Sequence, residues 1–360
     1  MKISFPHMGY SYIGFKYLLE GLGFECVLPP VPTQRTFTYG VRYSPEFACM
    51  PFKVLMGTYV EVLEKGAQVL ISSGGIGPCR AGLYGILHEK ILKDAGYDFK
   101  MIIVDPPQAN LKDFFDNLSF LKPGKMGWGH FLRIGRIAWY KLVALDKLEM
   151  LVAEKRAYEV SKGSTQKALD AAVRYIDNAG SVKEVMAAET ECKKIIEAVP
   201  KDKTRTPLRI GIVGEIFVVI EPFMNMEIER RLGEMGVITH RDVYITTYVR
   251  SLLNKKAEKH IIDAARPYLD QMVGGHGINS VGETVLYGQK GFDGVIQLAP
   301  FTCIPEIVAR SILPRVTEDC DIPVLTLNID EQTGEKGVQT RVEAFLDMLG
   351  EKRRVLGECS

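Results

Sequence analysis

Three cysteines stand in surroundings suited to holding a metal or an iron–sulfur cluster. Cys49 lies in Pro45-Glu46-Phe47-Ala48-Cys49-Met50-Pro51, and Cys303 in the closely similar Pro300-Phe301-Thr302-Cys303-Ile304-Pro305-Glu306, more than half the chain away. Cys79 follows an apolar run, in Gly74-Gly75-Ile76-Gly77-Pro78-Cys79-Arg80. Each is placed where a loop turns into a helix. A helix N-terminus carries partial positive charge and N–H donors without helical partners, which favour a thiolate over a thiol. The same donors can bond to cluster sulfides and shift a reduction potential. Gly74, Gly75 and Gly77 would let backbone approach a bulky inorganic core without a side chain in the way. The competing reading of any single cysteine is a small buried apolar residue, and it is the one assigned to Cys26, Cys192, Cys320 and Cys359. The absence of a Cys-x-x-Cys pair argues against a zinc ribbon or a ferredoxin-type site.

The elements that must position these thiols alternate between strand and helix. Residues 2–5 read as a strand and 12–22 as a helix stopped by Gly23. Pro51 suits the first turn of a helix, and apolar residues then recur at helical spacing as far as Gly66. Residues 69–71 and 101–104 read as strands, with 81–95 a helix between them. Strand, helix, strand at these lengths points to a mostly parallel sheet covered on both faces. From about 111 to 198 the sequence is helix-like, interrupted at Gly127-Trp128-Gly129-His130, and 201–207 is a polar linker. Alternation resumes with strands at 210–213, 237–239, 294–298 and 324–327. The expectation is therefore an α/β protein of two Rossmann-like domains, residues 1–110 and 206–360, with a helical subdomain and linker over 111–205. Cys49 and Cys303 fall at related points in the two halves, which suggests a diverged duplication.

Composition narrows the function. Forty-five basic against forty-four acidic residues leave no electrostatic footprint for nucleic acid or an anionic membrane. No apolar run reaches the ~20 residues of a membrane span, and residues 1–6 read as a strand start rather than a secretion signal. A cytoplasmic location is expected, where seven cysteines are better suited to metal or redox chemistry than to disulfides.

The segments around the three cysteines, with Gly214-Glu215-Ile216, Asp330-Glu331-Gln332-Thr333-Gly334 and Thr340-Arg341, resemble the 2-hydroxyacyl-CoA dehydratase and benzoyl-CoA reductase subunits and their uncharacterised relatives, the group labelled acyl-CoA dehydratase activase-related. The resemblance spans most of the chain. It implies Cys49, Cys79 and Cys303 as ligands of a 4Fe-4S cluster with one open iron, or of a double-cubane (8Fe-9S) cluster. It further implies oxidoreductase chemistry driven by low-potential electrons from a separate ATP-hydrolysing, actin-fold iron–sulfur activator. No actin-like phosphate loop is found in this chain, so the activator would act in trans. A double cubane needs about six thiols, which fits a homodimer, or a heterodimer with a paralogous subunit, better than one chain.

Among other candidates, His276 lies in a Gly274-Gly275-His276-Gly277 loop before a helix and reads either as a proton donor near the cluster or as a structural loop histidine. Glu46, Glu215, Glu283 and Glu306 are acids near expected strand ends or helix starts. Arg80 reads as a balance for cluster charge, an anchor for an anionic substrate, or an ordinary salt bridge. Trp128, Arg133, Arg136 and Trp139 form an aromatic–basic patch. Two other functional readings stay open: a zinc-thiolate or methyl-transfer enzyme, since three thiols with an open position also suit zinc, and a non-catalytic subunit of a cluster-bearing complex.

Overall fold

The structure, a computed structural model, describes residues 1–74, 78–104, 116, 119–122, 124, 126–254 and 256–358. It divides into two compact units. The first comprises Met1–Leu148, Ala171–Cys192 and Ile245–Lys255; the second comprises Glu149–Asp170, Lys193–Tyr244 and Lys256–Ser360.

In the first unit, strands β1 (Lys2–Ser4), β2 (Glu25–Cys26), β3 (Val69–Ser73) and β4 (Lys100–Val104) form one parallel sheet in the order β2-β1-β3-β4. Alternate strand residues point to opposite faces, and both faces are covered. Leu70 and Met101 pack with Phe52, Met56 and Tyr59 of helix α3 (Met50–Glu64). Val69 and Ile102 pack on the other side with Ile3 and Leu19, the latter from α1 (Tyr12–Gly21). Helix α2 (Gln34–Tyr43) precedes α3, and α4 (Tyr84–Asp94) joins β3 to β4.

Strands β5 (Leu208–Gly214), β6 (Val237–His240), β7 (Gly294–Pro300) and β8 (Val324–Ile329) repeat the design in the second unit, parallel throughout and in the order β6-β5-β7-β8. Between the two sheets in sequence the described residues include α5 (Trp128–Lys155), α6 (Ser164–Asn178) and α7 (Val182–Glu197). Then come α8 (Ile216–Ile220), α9 (Ile228–Glu234), α10 (Ile245–Leu253), α11 (Lys259–Ala265), α12 (Gly277–Gln289), α13 (Ile304–Cys320) and α14 (Glu335–Glu358). The α/β class with two Rossmann-like parallel sheets is as the sequence implies.

Three local details refine the sequence reading. The loop that leads into Cys49 is short, because α2 occupies Gln34–Tyr43 ahead of it, a helix that the sequence reading does not include. Its apolar content is low, but the Thr33 N–H donates to Thr36 Oγ1 at 3.0 Å and caps its start. The break expected at Gly127-Trp128-Gly129-His130 falls just ahead of that tetrapeptide's tryptophan: residues 119–121 are helical, 126 and 127 are not, and the 28-residue α5 begins at Trp128. Helix α12 starts at Gly277, so Glu283 lies in its middle, not at a helix start.

Helices α3 and α12 are buried on nearly every face. Each is pressed against a preceding helix through a glycine. A Cβ on Gly57 would overlap the Thr36 carbonyl of α2, and one on Gly282 would overlap the Ile261 carbonyl of α11. Backbone against backbone leaves no flexible side chain to yield, so only glycine fits.

Candidate functional site

All three candidate thiols occupy N-cap positions. Cys49 caps α3, Cys79 caps a 3-10 turn (Arg80–Leu83) that runs into α4, and Cys303 caps α13. The chain enters each helix through an extended residue, and none of the three sulfurs caps its own helix. In α3 and α13 a proline follows two residues after the cysteine, where its fixed φ suits the first turn. Cys49 and Cys303 are each only 6% exposed, so both side chains are shielded from bulk water at the positive ends of their helices. Thr302, directly before Cys303, sits at φ 65°, an unusual conformation for a β-branched residue, and sets the tight exit from β7.

The matched local sequences of Cys49 and Cys303 do not mark equivalent places in the two sheets. Sheet order pairs β3 with β7, so Cys303, which follows β7, is the counterpart of Cys79. The helix entering β3 is α3 and the helix entering β7 is α12, so the counterpart of Cys49 is His276, the N-cap of α12. The Cys-x-Pro likeness reflects a shared way of starting a helix, not shared topology.

In the first unit, Cys49 and Cys79 are brought together with Arg80 and Tyr84. The Tyr84 hydroxyl lies 2.5 Å from Cys49 Sγ. Arg80 Nη1 donates to the Phe47 carbonyl at 3.1 Å, tying the turn after Cys79 to the loop before Cys49. Glu46 stands in that loop, exposed. The Phe52 ring meets Tyr84 edge-on at 4.9 Å and stacks on His88 at 4.0 Å. Burial pushes the His88 imidazole down to about 4, and its Nε2 lies 3.0 Å from the Phe52 carbonyl. Burial, then the neighbouring Cys49 sulfur, raise the Tyr84 hydroxyl well above the usual tyrosine range. Gly74 follows β3 and its N–H donates to the Val104 carbonyl at 3.0 Å. Gly75 and Gly77 lie outside the described residues.

Cys303 and His276 stand at adjacent helix ends in the second unit. A Cβ on Gly277 would press on the Pro305 carbonyl at 2.5 Å, so α12 and α13 meet at their first turns. Burial lowers the His276 pKa, with Glu258 opposing, which keeps the ring neutral. One turn in from these ends, Ser280 Oγ donates to the Glu306 carboxylate at 3.0 Å, and Gln297 Nε2 donates to the same oxygen at 2.9 Å. Thr326 Oγ1 donates in turn to Gln297 Oε1 at 2.8 Å. Burial raises Glu306 to about 7, and Glu215, the N-cap of α8, to about 7 as well. Burial, with the nearby Asp242, Glu258 and Glu306 carboxylates, lifts Glu283 well above its ordinary range. Glu306 is therefore an integral part of a buried polar network and not only a charge placed at a helix start.

Sequence reasoning missed Tyr84, Ser280 and Gln297. Tyr84 is 35 residues from Cys49, and nothing local signals the contact. Gln297 did carry a signal, as the one amide inside an otherwise apolar buried strand. The patch expected around Trp128 is on α5, where Trp128 is exposed and Trp139 lies under the Arg250 guanidinium at 5.7 Å.

Among the described residues, no three His, Cys, Asp or Glu side chains converge closely enough to hold a single metal ion. The donor chemistry still suits an iron–sulfur centre: soft thiols placed at helix N-termini. Among the described residues, none of the cysteines is in a disulfide, and no helix is long and apolar enough to cross a membrane.

Paired parallel α/β units with cysteine-capped helices at the strand exits define the class of the protein. Residues 18–349 match the family described as 2-hydroxyglutaryl-CoA dehydratase, D-component, and the chain belongs to that family. Comparison with curated proteins finds no match.

Proposed function

We propose that this dehydratase-like component is an iron–sulfur oxidoreductase subunit in which Cys49, Cys79 and Cys303 are the cluster ligands. The observation that carries the reading is the N-cap placement of all three thiols. A bound 4Fe-4S or double-cubane cluster would supply low-potential electron transfer at an iron that protein sulfur does not saturate. The chain's own groups prepare for it. A helix N-terminus favours the thiolate form that a cluster ligand needs, and Arg80 fastens the two cysteine loops of the first unit to each other. The neutral His276 ring is suited to hold or release a proton beside α13. Glu46, in the exposed loop ahead of Cys49, is available to a substrate, and Gly74, Gly75 and Gly77 add no side chain to the sequence ahead of Cys79.

The substrate in this reading is a small acyl thioester or a related carbonyl compound. Electrons come from an ATP-hydrolysing activator acting in trans, and a second cluster-bearing subunit, identical or paralogous, completes the assembly.

Anaerobic purification with cluster assembly supplied is the test. Wild type is expected to be brown with about four irons per chain, and Cys303→Ala to lose most of that iron while keeping its helical circular dichroism. Colourless, iron-free wild type would overturn the reading. Zinc at about one per chain would favour the thiolate-zinc alternative.

A further inference from the structure

We propose that Tyr84 is a positioning residue for the cluster: its hydroxyl donates a hydrogen bond to the Cys49 sulfur and sets the reduction potential of the centre that Cys49 helps to hold. The proposal rests on the assignment of Cys49 as a ligand. Its own basis is the 2.5 Å approach of Tyr84 Oη to Cys49 Sγ within the first unit.

Either atom of that pair could donate while Cys49 is a thiol. A ligand thiolate has no proton, so the direction is then fixed and the phenol is the donor. The geometry is held from several sides. Tyr84 is the first residue of α4, so its backbone is set by the helix that follows Cys79. Its ring is buried at 8% exposure against the edge of Phe52, which belongs to the helix that Cys49 caps. The same aromatic pair therefore joins the two elements that carry the first unit's sulfurs, and the hydroxyl has little freedom to turn away.

A hydrogen bond to a ligand sulfur draws electron density from it. Reduction adds negative charge to the cluster, so the bond stabilises the reduced state more than the oxidised one and raises the potential. The phenol forms no covalent bond and gives up no electron; the electron in the titration comes from an added chemical reductant.

The experiment is an anaerobic redox titration of the cluster-loaded full chain, followed by electron paramagnetic resonance, with iron and sulfide quantified in parallel. Tyr84→Phe keeps the ring and removes only the hydroxyl. It is expected to retain wild-type iron and to show a more negative midpoint potential. The expected change is roughly three- to tenfold in the reduced-to-oxidised ratio at a fixed poise, where tenfold corresponds to about 59 mV for one electron. Biosynthetic replacement of tyrosine by 3-fluorotyrosine, a stronger donor, is expected to move the potential the other way. It provides an independent reading should Tyr84→Phe fail to fold. An unchanged potential in iron-replete Tyr84→Phe, or no shift with 3-fluorotyrosine, overturns the proposal. Cys49→Ala with full iron content would overturn the ligand assignment beneath it, and is distinguishable because it leaves the cluster in place without the sulfur.

Discussion

The two units set different side chains on one scaffold. In each, a parallel sheet of the same strand order carries a central helix buried on almost every face, α3 in the first and α12 in the second. That helix leads into the third strand of the sheet, and a second helix leads out of it. The first unit places sulfur at both N-caps, Cys49 and Cys79, beside a phenolic hydroxyl. The second places an imidazole and one sulfur, His276 and Cys303, above a buried carboxyl held by Ser280 and Gln297. The backbone thus specifies where a cap atom can stand, and the residue at the cap decides whether that atom is a soft sulfur or an imidazole nitrogen. The first unit carries two candidate thiol ligands, and the second carries one together with Glu215, Glu283 and Glu306, whose carboxyls burial pushes above their ordinary range.

The largest test of this likeness is at the glycines that let the central helices close on their neighbours. Gly57→Ala and Gly282→Ala are each expected to destabilise the protein by about 3 kcal/mol, since a methyl group would be driven into a carbonyl with no side chain to move. Urea unfolding followed by circular dichroism measures this. A large effect at one glycine and none at the other would break the equivalence of α3 and α12.

A smaller effect separates the units by pH. The folded pKa of Glu306, at about 7, lies above the ordinary glutamate value of about 4.3. The folded state therefore binds more protons than the unfolded state between those values. Stability from this group is full below the lower value and is lost as pH rises through the upper one. Glu306→Gln removes the penalty and is expected to stabilise the protein by about 1–3 kcal/mol at pH 8, with little change at pH 4.5. Hydrogen exchange at pH 8 should show the added protection in α12 and α13, with α3 and α4 unchanged. Equal protection gained in both units would contradict the assignment of the proton-binding group to the second.

The smallest expected effect lies on the surfaces of α4 and α13, the helices that follow the third strands. Lys93 pairs with Glu89 at 2.7 Å and Arg315 with Asp319 at 3.6 Å, each one helical turn apart and largely exposed. Lys93→Ala and Arg315→Ala should each cost about 0.5 kcal/mol or less, falling further in high salt. A thermal melt with and without salt is sufficient to check this. A larger loss at either would show that the pair has a structural role beyond its exposure.

The cysteine caps were legible because apolar strand runs and prolines are local signals, and both lie within a few residues of the thiols. The parallel sheets were legible from the same alternation. What the sequence hid depends on contacts distant along the chain. The match of Cys303 to Cys79, and of Cys49 to His276, exists only in sheet order, while the eye follows the repeated Cys-x-Pro. Tyr84 and Ser280 reach partners 35 and 26 residues away. Helix α2 was hidden for a different reason: its apolar face is narrow, and a threonine cap rather than hydrophobic periodicity starts it.

The interleaving of the two units in sequence bears on how the chain is made. Asp146 of the first unit accepts from both the backbone N–H and the hydroxyl of Thr246, at 3.0 and 2.6 Å, across 100 residues. The first unit takes segments up to Lys255, and by then the chain has already supplied Glu149–Asp170 and Lys193–Tyr244 to the second. Folding on the ribosome in the usual order, one finished domain ahead of the next, is therefore closed to this protein. Its first unit is complete only when the segment Ile245–Lys255 has emerged, so the Asp146 carboxylate waits for its Thr246 partner until most of the second unit's early segments are already made.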